Sequence, residues 1–192
     1  MVDTSLFYGP RIRLTALRPD DLQTWMRWHE DAEFGRMLDS NPAFPRSQNR
    51  VRAFLDDVDK HHHNSFAFAI RPLDNDDLIG YVQLDDIQWS NRVAWLAIGI
   101  GDANHRGVGY GHEAMLLIQR FAFHELNLYR VQLTVFEYNV RAIALYERLG
   151  FRREGVFREA LQRDGKRFDM YLYGILSHEW AELHGRDEQP RE

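Results

Sequence analysis

The run Asn104-His105-Arg106-Gly107-Val108-Gly109-Tyr110-Gly111 sets three glycines at alternate positions between an apolar stretch, Val93–Ile100, and a helical pattern, Glu113–Leu126. Nothing else in the chain constrains its fold so strongly. Glycines admit backbone conformations that side chains resist, and they let a ligand approach the backbone without a Cβ in the way. The helix beyond them begins with N–H groups that lack intrahelical partners and carry partial positive charge. A strand, a glycine turn and a helix in that order suit a bound pyrophosphate. Taken alone, the same glycines also fit a simple tight turn.

Hydrophobic periodicity supplies the rest of the scaffold. Ile12–Leu17 alternates and reads as a strand, and Arg18-Pro19-Asp20-Asp21 opens a helix with Pro and acids in its first turn. That helix carries Leu22, Trp25, Met26 and His29 on one side, and a second short helix is expected over Asp31–Leu38. The prolines of Asn41–Pro45 make a loop, and Ser47–Lys60 shows Val51, Phe54, Leu55 and Val58 at helical spacing. From Phe66 the period changes to that of strands: Phe66–Ile70, Leu78–Leu84 after the polar turn Asp74–Asp77, and Val93–Ile100. Ala114, Leu117, Ile118 and Phe121 form the buried stripe of the helix after the glycines. Arg130–Phe136 follows as a strand. Val140–Arg148 follows as a helix, capped by Asn139 and ended by Gly150. Two strands, Phe151–Phe157 and Arg167–Leu176, close the pattern across Asp164-Gly165. The expectation is one mixed α/β domain over residues 1–183, a central sheet flanked by helices, with a polar tail over 184–192.

Composition narrows the chemistry. With 192 residues, 44% of them hydrophobic, the chain is long enough for one packed domain. A formal charge of −5 does not suggest nucleic-acid binding. Cysteine is absent, which removes disulfides, thiolate nucleophiles and Cys-based metal sites. Met1–Ser5 shows no basic and apolar leader, and no apolar run nears the roughly 20 residues that span a bilayer, so a cytoplasmic protein without a membrane partner is expected.

Two motifs in order carry a resemblance. Arg106-Gly107-Val108-Gly109-Tyr110-Gly111 fits the pattern Arg/Gln-x-x-Gly-x-Gly/Ala. Asn139-Val140-Arg141-Ala142-Ile143-Ala144-Leu145-Tyr146-Glu147-Arg148-Leu149-Gly150-Phe151 follows it, with Glu154-Gly155, Gly165 and Asp169 further on. The segment Gly99–Gly174 resembles the GNAT acetyltransferase superfamily, and within it the Rim-type branch that acetylates ribosomal proteins and small amines. The resemblance implies a twisted, mostly antiparallel sheet and acetyl-CoA as cosubstrate. It implies a pyrophosphate site at Arg106, Gly107, Val108, Gly109, Tyr110 and Gly111, and a strand edge at Ile98, Gly99 and Ile100 that pairs with the pantetheine arm. It further implies Asn139 near that arm and Tyr146 beside the thioester sulfur, as the general acid for the departing thiolate. The dinucleotide fingerprint, the nearest rival for the glycine loop, fits the spacing poorly.

An amine acceptor must lose a proton before it attacks. Many members of the family place a carboxylate on the strand before the glycine loop, and here that strand reads Val93-Ala94-Trp95-Leu96-Ala97-Ile98. Asp85 and Asp86, at the end of the preceding strand, are the substitute bases; turn acids, or a water-mediated route, fit the sequence as well. His61-His62-His63 makes a poor metal chelate, since adjacent side chains diverge; no metal site is expected. His112 could touch a phosphate or lie exposed, and His29 reads as a packed edge residue. Trp25, Trp28, Phe34, Met37 and Phe44 occupy the segment from which similar proteins build the acceptor cleft. Asn127–Arg130 and Glu154-Gly155, also seen in polyamine-acetylating relatives, read as scaffold. The implied function is direct acetyl transfer to a protein N-terminus, a small amine or a polyamine, by a monomer or homodimer. A non-catalytic acyl-CoA sensor is the alternative that the missing strand carboxylate keeps open.

Overall fold

The computed structural model describes residues 5–60 and 63–184. His61, His62 and the tail from Gly185 lie outside them, and so does the side chain of Val58. The described chain forms a mixed sheet of seven strands in the order β1-β2-β3-β4-β5-β7-β6. The strands are β1 (Ile12–Thr15), β2 (Phe66–Pro72), β3 (Gly80–Gln88), β4 (Val93–Ile100), β5 (Arg130–Phe136), β6 (Arg152–Arg163) and β7 (Lys166–Leu176). Every neighbouring pair is antiparallel except β4 and β5. The helices are α1 (Leu22–Glu30), α2 (Ala32–Leu38), α3 (Gln48–Lys60), α4 (Tyr110–Arg120), α5 (Val140–Arg148) and α6 (Ser177–His184).

Strand alternation divides the apolar residues between two layers. Val82 and Leu84 of β3, Ala94 and Leu96 of β4, and Val131, Leu133 and Val135 of β5 join Ala114, Met115, Leu117 and Ile118 of α4 in the larger cluster. Tyr81 of β3 and Ala69 of β2 instead meet Leu22, Trp25 and Trp28 of α1, Phe34 of α2 and Val51 of α3. The sheet is thus covered on one side by α4 and on the other by the first helices.

A buried ion pair ties those first helices to the sheet. Arg71 of β2 donates 2.8 Å hydrogen bonds to both carboxylate oxygens of Asp21, and also bonds Thr15 Oγ1 and the Asp76 carbonyl. Asp21 takes a further bond from the Arg18 amide at 2.7 Å. These partners meet most of the hydrogen-bonding capacity of two charges removed from water.

Several boundaries differ from the sequence reading. The helix expected over Glu113–Leu126 starts at Tyr110 and loosens into a π-helical turn over Phe121–Glu125. The strand expected to stop at Phe157 runs to Arg163, because β6 is an edge strand with most of its residues exposed and shows no apolar alternation to read. Helix α6 was not expected. Its one buried residue is Trp180, and its start is marked by Glu179 Oε2, which accepts from the Leu176 amide at 3.0 Å.

Candidate active site

The parallel pairing of β4 with β5 covers only Val93↔Arg130, Ala94↔Val131 and Trp95↔Gln132. Beyond that point the strands part, while β4 stays paired with β3 up to Ile100. One edge of Leu96–Ile100 is therefore left without a strand partner. An extended molecule with amide groups, laid in that opening, would find strand-like hydrogen bonds.

The opening leads to the start of α4. Gly107 has φ +77° and Gly109, the N-cap, has φ +98°. Among the described hydrogen bonds, none uses the amides of Gly107, Val108, Gly109, Tyr110, Gly111 or His112. A turn with successive free N–H groups at a helix N-terminus is an anion cradle. Gly109 also leaves room for the Arg11 guanidinium, which would lie 2.8 Å from a Cβ at that position. Arg11 bonds the Val108 carbonyl at 3.0 Å and stacks over the Tyr110 ring. Behind the cradle, the buried Glu113 carboxylate accepts from the amides of Arg11 and Ile12, at 2.7 and 3.0 Å, and fixes β1 against the first turn of α4.

Arg106 does a different job from its neighbours. Its amide donates to the Ala103 carbonyl. Its guanidinium bonds the carbonyls of Ile100 and Gly101, at 3.0 and 2.7 Å, and Asp31 Oδ2 at 2.8 Å. It also lies over the Phe34 ring. Burial acts to raise the Asp31 carboxyl, but the hydrogen bond from Arg106 and backbone amides outweighs it and holds the group below the usual carboxylate range. Arg106 thus locks the α1–α2 junction to the end of β4.

Asn139 caps α5, accepting from the Ala142 amide at 3.2 Å, and its amide nitrogen reaches the Met37 carbonyl at 3.4 Å. One and two turns on, Ile143 and Tyr146 share its face. Tyr146 is buried, and its hydroxyl forms no hydrogen bond with a described residue. Burial alone pushes the phenol up to about 12, so it holds its proton through the neutral and mildly basic range.

The two acids of β3 fall in different surroundings. Asp85 is half-buried and accepts from Ser65 Oγ at 2.5 Å and from the Gln83 amide. Asp86 sits exposed in the bulge between Asp85 and Gln88, with φ +47°. Trp25, Trp28 and Phe34 are buried in the first-helix cluster, whereas Met37 and Phe44 are exposed. His29 is buried beside Trp25 and Phe34. Burial, reinforced by the Arg46 charge and opposed by Asp39, lowers its imidazole to about 4. Among the described residues, no group of three or more His, Asp or Glu side chains could hold a metal ion, and no helix is long and apolar enough to cross a membrane.

Sequence reasoning missed a set of contacts that join the two halves of the chain. Tyr138 Oη donates to the Arg36 carbonyl at 2.6 Å, and Arg36 pairs with Asp164 in the β6–β7 turn. Arg163 Nη2 lies within 3.1 Å of the carbonyls of Asp39, Ser40 and Asn41. Most of these bonds go to backbone oxygens, which no residue pattern announces.

The split sheet and the glycine cradle define the class of protein. Residues 11–152 match the family model described as the acetyltransferase (GNAT) domain, and the chain belongs to that family. It is an N-acetyltransferase that uses acetyl-CoA. Relatives cover most of its length. An uncharacterised N-acetyltransferase, YokL, from the SPbeta prophage of Bacillus subtilis is 29% identical over 92% of this chain and 96% of its own. The spermidine N(1)-acetyltransferase of Escherichia coli K12 is 28% identical over 81% of this chain and 86% of its own. The crystal structure of spermidine N-acetyltransferase from Vibrio cholerae in complex with CoA and spermine shares the fold. It has a TM-score of 0.81, covers 90% of this chain and 99% of its own, and is 24% identical.

Proposed function

We propose that this chain moves an acetyl group from acetyl-CoA to a primary amine of a small molecule, with a polyamine as the first candidate and a protein N-terminus as the second. The observation that carries the reading is the run of uncommitted amides over residues 107–112, next to the unpaired edge of β4. The diphosphate of the cosubstrate lies on the amides of Gly107 to His112. Arg106 contributes by holding Asp31, Ile100 and Gly101 in place. The pantetheine arm pairs along Ile98, Gly99 and Ile100, with Asn139 at its side.

The amine attacks the thioester directly, since the chain has no cysteine to carry an acyl group. A backbone amide near Ile98–Gly99 polarises the carbonyl as charge develops on its oxygen. The carbon–sulfur bond then breaks, and Tyr146 gives its proton to the thiolate. The acceptor class is supported by the spermidine-acetylating relatives and by a net negative charge that suits a cationic amine.

Calorimetric titration with acetyl-CoA, with ADP as control, tests the cradle. Thiol release in the presence of spermidine, other amines and N-terminal peptides tests the acceptor. Tight acetyl-CoA binding with amine-dependent thiol release is expected. A folded sample that binds ADP as well as acetyl-CoA would refute the reading.

A further inference from the structure

The acceptor amine poses a chemical problem that the residues named so far leave open. A lysine-like amine has a pKa of about 10.4 and is mostly protonated at neutral pH. Strand β4 carries no carboxylate, and Asp85 lies far from the opening. Asp85 stands opposite Trp95, while the edge that takes the thioester is near Gly99. Four residues of strand separate them, about 13 Å.

Tyr81 stands at the Gly99 end of that interval. It pairs with Gly99 across β3 and β4, and it shares one strand face with Gln83 and Asp85. Its ring and that of Phe34 each come within 3.1 Å of the point where Gly99 would carry a Cβ, so the absent side chain is what admits them. Its ring packs 4.7 Å from Trp25 and is buried. Despite that burial, the Tyr81 hydroxyl forms no hydrogen bond with a described residue, and it is not among the fully enclosed polar atoms. A buried phenol ring whose hydroxyl still reaches open space, without a protein partner, is placed to meet water or a bound molecule. The charges of Asp85 on β3, and of Asp39 and Arg46 in the connection between α2 and α3, act on it, as does Tyr146 on α5. Burial first, then Asp85 and Asp39, push its phenol up, so it stays neutral at physiological pH.

Resting on the acetyl-transfer reading above, we propose that the Tyr81 hydroxyl receives the attacking amine and passes its proton towards Asp85. The ammonium passes one proton to Tyr81 Oη as the phenolic proton moves, through ordered water, to the Asp85 carboxylate. The freed nitrogen lone pair forms the new bond to the thioester carbon, and the second N–H proton leaves to solvent as the tetrahedral intermediate collapses. The carbon–sulfur bond breaks, and the thiolate takes its proton from Tyr146. Asp85 then returns its proton to solvent, and Tyr146 regains one. The family's strand carboxylate is thus replaced by a phenol one strand away, with Asp85 as a positioning and proton-receiving residue behind it.

The test is Tyr81→Phe, which removes one oxygen and keeps the ring. Thiol release is followed between pH 6.5 and 10, at saturating acetyl-CoA, with whichever of spermidine, spermine and an N-terminal peptide the wild type turns over fastest. The expected result is a fall in kcat/KM for the amine of at least tenfold at pH 7. The loss should shrink towards pH 10, where the amine sheds its proton unaided, and acetyl-CoA affinity should stay within twofold of wild type. Asp85→Asn should give the same pH-dependent loss in smaller measure. A Tyr81→Phe variant within twofold of wild type, or one whose loss is the same at every pH, overturns the proton path and leaves the acetyl-transfer reading standing. A wild type that turns over no amine overturns both.

Discussion

At the scale of single residues, the proposed reaction rests on backbone amides and on hydroxyl groups. Tyr146 is the clearest case. Tyr146→Phe keeps the ring in the core and removes the hydroxyl proposed as proton donor. Turnover should fall about 10²-fold or more, while calorimetry finds acetyl-CoA binding unchanged; a parallel loss of affinity would instead mean a packing role. Gly109 makes the opposite point. Its φ of +98° and the nearby Arg11 leave no relaxed place for a side chain. Gly109→Ala should lower stability by about 1–3 kcal/mol in denaturant titration, and should weaken acetyl-CoA binding more than it slows turnover at saturation. The sequence singles out both, Gly109 within the glycine run and Tyr146 through the resemblance that Asn139–Phe151 carries. Arg106 was legible only in position. Its guanidinium turns away from the cradle and holds Asp31, and no spacing rule encodes that direction.

At the scale of elements, α2 ties the loop before α4 to the far end of the sheet. Its first residues flank the Asp31–Arg106 bond, Phe34 lies against Gly99, and the carbonyls at its end are gripped by Tyr138, Asn139 and Arg163. Replacing Arg163 with Ala removes three of those grips at once. Amide hydrogen exchange should then rise across residues 36–46 and stay unchanged in α4. Uniform exchange across the molecule would show that the contact does not act locally. None of this could be read from the chain, since carbonyl oxygens are the same in every residue. Strand β6 beyond Phe157 escaped notice for a related reason: an exposed edge has no buried face to print an alternating pattern. Helix α6 did leave a signal, the Glu179 that caps it, but with only Trp180 buried its apolar period was too sparse to follow.

At the scale of the whole molecule, two buried charges govern how firmly the first helices sit on the sheet. Asp21→Asn would leave Arg71 charged and buried, and should cost about 3–5 kcal/mol in equilibrium unfolding. His29 adds a dependence on acidity. Its imidazole is lowered from 6.5 to about 4 in the folded chain. Above about pH 6.5 both folded and unfolded forms are neutral, and His29 contributes no pH dependence. As the pH falls from there towards 4 the unfolded form takes up the proton first, and stability is lost. The difference in melting temperature between wild type and His29→Gln should therefore change across that window and level off on either side. A difference that stays constant from pH 8 to 4 would contradict a buried neutral imidazole.

The grip of Arg163 on the chain after α2 has a consequence for how freely that segment can change. It reads the oxygens of residues 39–41 and leaves the exposed side chains of Ser40 and Asn41 untouched. The segment behaves as a socket whose mounting is separate from its lining. New side chains can be written into it, by drift or by design, while the frame that holds it against the sheet stays as it was.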